Sequence, residues 1–174
     1  MTNEMMQNLA LIGGYSAVAF AAMGSALGTG TAGSSAIGAW KKCYAQNKPA
    51  PFLLMALAGA PLSQTIYGLV MLMFIKGKAA EMPQAWPLLL VVGVVGGIAM
   101  GFSAWYQGRA GAGGCDAFAE TGKGFANYLM ILGVVETVAI FALVFSFLAM
   151  PDAKKVDTTS VKAPIAQVEA VTTK

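Results

Sequence analysis

The sequence predicts an all-α membrane protein of four transmembrane helices, arranged as two tandem hairpins. Hydrophobic residues make up 57% of its 174 residues, and mean hydropathy is +0.65. Charged residues reach only 11%, against about 25% in soluble domains. Four segments, residues 5–40, 49–75, 82–108 and 124–150, carry no charge or almost none. Each exceeds the roughly 20 residues that span a bilayer. The runs are continuous rather than alternating, so helices are expected and not barrel strands.

The start, Met1-Thr2-Asn3-Glu4-Met5, lacks the basic region of a cleaved leader, and the apolar run after it is too long for one. The first helix is therefore expected to be retained. It carries Gly24 and Gly28, then Gly30, Ser34 and Gly38, at four-residue steps, and the third helix carries Gly93, Gly97 and Gly101 at the same step. Small-residue faces let backbones approach closely in lipid. They are more numerous than four helices would use, so packing between copies of the chain is expected.

Polar breaks separate the helices at residues 41–49, 76–81 and 113–123. The first hairpin is placed at residues 8–75, the second at 82–150, and a polar tail at 151–174. Lys41, Lys42 and Lys48 form the densest short basic cluster. By the positive-inside rule they favour loops 41–49 and 113–123 in the cytoplasm and the termini outside. Lys76, Lys78, Lys154 and Lys155 argue the other way.

Several function classes fall away. The chain has no histidine, which removes histidine catalysis and histidine metal ligation. The net charge of +3 is too small to imply a nucleic-acid partner. Cys43 and Cys115 have no metal-ligand spacing and are expected to be free thiols. Residues 28–33 match G-x-G-x-x-G literally, but no strand precedes them and no ribose-binding acid follows at the right distance, so close helix packing is the better reading.

Glu136 is the one charged side chain between Gly124 and Met150, twelve residues after the first and fourteen before the second. A charge near the middle of a membrane helix costs about 2.5–3.5 kcal/mol on insertion scales. A residue kept at that cost is a functional-site candidate. The hairpins also resemble each other. Gln64-Thr65 aligns with Glu136-Thr137, and Ser25 aligns with Gln107. The first copy has an amide where the second has the acid.

If each hairpin is symmetric about its turn, Gln107 lies level with Glu136, and Ser25 with Gln64. Ser63, Gln64 and Tyr67 fall within about 100° of one another on a helix. Pro61 lacks an N–H and clashes with the carbonyl of Leu57, which distorts the turn before them. Carboxylate, amide oxygens, a hydroxyl and a backbone carbonyl are hard donors that suit a small hard cation. Na⁺ is the expected occupant, since one carboxylate balances one charge. A site for H⁺ alone would need little beyond the carboxyl. Arg109 is expected to snorkel or to face a loop.

On Pro61-Leu62-Ser63-Gln64-Thr65-Ile66-Tyr67-Gly68, Trp105-Tyr106-Gln107-Gly108-Arg109 and Val135-Glu136-Thr137, the chain resembles the proteolipid of the membrane rotor ring (K-ring or c-ring) of V-type and A-type rotary ATPases. The resemblance implies a homo-oligomeric rotor ring in the lipid bilayer, with the first and third helices inside and the second and fourth outside. Each copy would carry one ion past a stator membrane subunit bearing an essential arginine. A central-stalk subunit would meet the loop side, and a soluble head would hydrolyse or make ATP, so the chain itself would be non-catalytic. The ligands of Na⁺ would be Glu136, Gln107, Gln64, Ser63 and the backbone carbonyl of Ala60, with Tyr67 bonding to the carboxylate. A prokaryotic plasma membrane is the implied location. Three features depart from the pattern: Ser63 stands where Thr is commoner, Leu62 replaces a Gly, and the charged tail is long. The competing expectation is a proton-coupled small multidrug-type transporter, although amides and hydroxyls, not an aromatic cage, surround the acid.

Overall fold

The computed structural model describes residues 1–152; apart from its first two residues, the tail expected at 151–174 lies outside them. The chain is all-helical. Helix α1 is Asn3–Ala45, α2 is Leu54–Gly59, α3 is Ser63–Glu81, α4 is Trp86–Thr121 and α5 is Phe125–Ala149. Short 3₁₀ turns at Ala60–Leu62 and Pro83–Ala85 join α2 to α3 and lead into α4. Four spans, with α2 and α3 counted as one, are long and apolar enough to cross a membrane.

Local chemistry sets the ends. Thr2 caps α1, its hydroxyl accepting from the Met5 N–H at 3.2 Å. Pro49 and Pro51 cannot continue α1, and the Trp40 indole pins the returning chain by donating to the Pro51 carbonyl at 2.8 Å. Pro61 has no N–H to offer, and the helix tightens there into the 3₁₀ turn. Gly122 and Gly124 both take positive φ, 64° and 83°. They turn α4 into α5 within three residues, with the Gly122 N–H closing on the Phe118 carbonyl at 2.8 Å.

The helices run further than the apolar runs. Residues 41–45 and 113–121 are helical, as are 76–81, where loops were expected. Lys, Glu and Ala are strong helix formers, so charge marks where a helix leaves the apolar layer, not where it stops. Gln107, expected at the end of its helix, lies well inside α4 for the same reason.

Corresponding helices of the two hairpins run parallel. Gly13 packs on Gly93, Gly24 on Gly101, and Gly28 on Gly108. Further along, Ser35 donates to the Ala112 carbonyl at 2.8 Å, and Lys42 pairs with Glu120. Both turns therefore sit at one end. Helix α1 packs along α4 more extensively than along any other element, with α3 against α1 and α5 against α4. The α1–α4 seam is backbone on backbone, and a Cβ added at Gly24, Gly93 or Gly108 would collide with the facing main chain.

This corrects the expected use of those glycines. Gly24, Gly28, Gly93, Gly97 and Gly101 all pack within the chain. Gly30 and Gly38 meet nothing, and remain open to outside contact.

Two apolar clusters fill the interior. One, near the termini, includes Ala10, Ala17, Ala21, Met71, Ile75, Leu89, Met100 and Ala139. The other, near the turns, includes Ala36, Leu54, Leu57, Cys115, Phe118 and Leu132. The buried polar side chains, Ser25, Gln64, Ser103 and Gln107, lie between them.

Candidate functional site

The site lies where α3, α4 and α5 meet in that polar layer. The 3₁₀ turn at Pro61 starts α3 so that Gln64 points inward, fully buried, with Ser63 and Tyr67 half-buried on its flanks. Gln107 is also fully buried, and Glu136 is half-buried on α5.

These side chains form one connected network. The Tyr67 hydroxyl donates to Glu136 Oε1 at 2.6 Å. The Gln107 amide donates to Glu136 Oε2 at 3.3 Å and to the Leu132 carbonyl at 3.0 Å. Gln64 Nε2 donates to Gln107 Oε1 at 2.8 Å. The Ser63 hydroxyl lies 3.2 Å from both Gln64 Oε1 and the Ala60 carbonyl oxygen; its single proton serves one at a time. Every residue singled out from the sequence is therefore in the network, the Ala60 carbonyl included.

The carboxylate accepts one neutral donor on each oxygen and forms no ion pair among the described residues. No group of three or more His, Cys, Asp or Glu side chains comes together among those residues. Glu136 thus stands alone among neutral oxygens. Ala60 O, Ser63 Oγ and Gln64 Oε1 cluster within hydrogen-bond reach of one hydroxyl, and Gln107 Oε1 keeps a second lone pair after accepting from Gln64. Such a set can hold a proton on the carboxyl or gather oxygens around a small monovalent cation.

Arg109 takes no part. It lies on the exposed side of α4, its guanidinium carbon 5.5 Å from the centroid of the Tyr106 ring. Ser103 is a member of the layer that the sequence pattern did not single out. Its hydroxyl donates to the Val135 carbonyl at 2.9 Å, fixing α5 beside Glu136. Its place four residues before Gln107, on the same helix face, was the available signal.

The stretch that carries Gln107 and Glu136 has a known relative. Residues 90–149 match the family of the ATP synthase C-type proteolipid. The match runs from the first turns of α4 to the end of α5 and covers both α4–α5 partners of the network, but not Ser63, Gln64 or Tyr67. No curated protein matches the chain. The proteolipid match in the second hairpin, together with four membrane-length helices, makes this a multi-pass membrane protein with an ion-translocating hairpin of the ATP synthase rotor kind.

Proposed function

We propose that the chain is the membrane rotor subunit of a V- or A-type rotary ATPase, in the duplicated-hairpin form. On this reading copies assemble into a ring, and each carries one Na⁺, or H⁺ in its place, on Glu136. The ion passes a stator subunit whose arginine briefly compensates the bare carboxylate. The chain performs no ATP chemistry, which belongs to a soluble head reached through a central stalk.

One observation carries the reading. A lone carboxylate in mid-helix receives Tyr67 and Gln107, and Gln107 leads through Gln64 to the oxygen cluster at Ser63 and Ala60. A proton alone would not call for that oxygen chain, so Na⁺ is the preferred cargo. Parallel hairpins with one carboxylate between them support the duplicated form. An uncompensated Glu⁻ does not cross lipid, so it travels neutralised. Each unit charge moved exchanges about 2.3 kcal/mol per 100 mV. One carboxylate per four spans means few ions per turn, which favours pumping against steep gradients.

Carbodiimide labelling of the purified, assembled protein tests this. Glu136 should be the modified residue, and millimolar Na⁺ or a higher pH should slow the reaction. Absence of Na⁺ protection at every pH would leave a proton carrier. A monomer that binds organic cations would favour the small multidrug-type transporter instead.

A further inference from the structure

The polar layer holds one side chain that the ion site as described does not use. Ser25 on α1 is 2% exposed, and its hydroxyl has no hydrogen-bond partner among the described residues. This sets it apart from the other hydroxyls of the spans. Ser16, Thr29, Thr31, Thr121 and Ser146 each donate to the carbonyl four residues back. Ser25 does not, although its own carbonyl accepts from Thr29 at 2.8 Å.

The packing shows where Ser25 faces. Gly28 meets Pro61, and Ala21 meets Gly68. Residues 21, 25 and 28 share one face of α1, and residues 61, 64 and 68 share one face of α3. The outer members of the two triplets touch in antiparallel order, so the middle members, Ser25 and Gln64, face each other. Gln64 is fully buried and spends only one of its two amide protons, on Gln107. An unmatched hydroxyl therefore faces a fully buried amide with an unmatched N–H, at one level and beyond direct bonding distance. Buried polar groups left in this way cost about 1–3 kcal/mol each unless bridged, and a single water with two polar partners is the usual bridge.

We propose that Ser25 is a positioning residue of the Glu136 site, holding the Gln64 carboxamide through one buried water. With its second N–H anchored toward α1, Gln64 keeps its oxygen beside Ser63 and the Ala60 carbonyl. An unanchored amide can rotate and present nitrogen there, which repels a cation. Ser25 thus brings the first helix into a site that α3, α4 and α5 otherwise build alone.

This rests on the ion-carrier reading, and the test separates the two. The assembled protein is compared with Ser25→Ala and Ser25→Thr by carbodiimide labelling of Glu136 over a Na⁺ series. Loss of one net hydrogen bond should raise the half-protecting Na⁺ concentration about tenfold in Ser25→Ala. Labelling without Na⁺ should not change, and Ser25→Thr should stay close to the parent. A high-resolution structure should show a water between Ser25 Oγ and Gln64 Nε2 that is lost in Ser25→Ala. Unaltered Na⁺ protection in Ser25→Ala, or a Ser25 hydroxyl bonded back to the Ala21 carbonyl with no water, overturns the proposal. If the parent itself shows no Na⁺ protection, the sodium reading fails separately. Ser25 is then judged by proton exchange at the Gln64 carboxamide, which should quicken in Ser25→Ala; an unchanged rate overturns it.

Discussion

Tyr67 and Glu136 belong to different hairpins, yet the phenol donates to the carboxylate across 2.6 Å. The ring of Tyr67 packs against the cluster near the termini. One residue therefore both fills the interior and holds the acid in place. In Tyr67→Phe the packing survives and the donor is lost. The half-protecting Na⁺ concentration for Glu136 should rise about tenfold, the weight of one net hydrogen bond, with little change in thermal stability. Equal protection in the variant would mean that the phenol serves only as packing.

Gln64 and Gln107 should behave as a unit. Each changed alone to Leu leaves the other amide buried and short of a partner, at about 1–3 kcal/mol. The double variant removes both ends of the 2.8 Å bond. It should cost less than the sum of the singles by on the order of 1 kcal/mol. Denaturation of the detergent-solubilised protein measures the cycle, and strict additivity would show that the amides do not touch.

The glycines divide into two classes with opposite expected outcomes. Gly24→Ala and Gly108→Ala drive a methyl into facing backbone. They should lower stability by about 1–3 kcal/mol or more, because neither main chain can yield by changing rotamer. Gly38→Ala meets open space and should hold or slightly raise it, since Ala is the better helix former. A bulky Gly38→Leu should leave the single chain folded and act only on association between copies. Thermal melts, with oligomer size read in parallel, distinguish these cases.

Lys42 and Glu120 form an exposed ion pair at the turn end. A water-soluble carbodiimide should join them as an amide within one chain, detectable by peptide mass spectrometry. Failure of that link, or links from Lys42 to residues at the terminal end instead, would contradict parallel hairpins.

The site was more legible than the helix boundaries. Glu136 announced itself by isolation, and the Gly122–Gly124 turn fixed the symmetry that set Gln107 level with it. The same reasoning placed Ser25 opposite Gln64. Helix ends were hidden because Lys41, Lys42 and Glu120 end the apolar layer without ending the helix. The partner of each glycine stripe was hidden too. A four-residue step shows that some backbone approaches closely but not whose, and here α4 claims most of α1's glycines. Ser103 was overlooked because a lone serine in an apolar helix usually bonds to its own turn, whereas this one bonds to α5.

The glycine seam also grades the molecule mechanically. Between α1 and α4 main chain bears on main chain, so a sideways load finds no rotamers to deform and the pair moves as a single stiff strut. Helix α5 is held differently, burying only Leu132 and Ala139 and leaning on α4 largely through side chains that can re-settle. A tangential pull on Glu136 is therefore absorbed first at the α5 seam, and the bonds from Tyr67 and Gln107 are the links that give way before the strut does. Compliance is concentrated at the one helix that carries the charge.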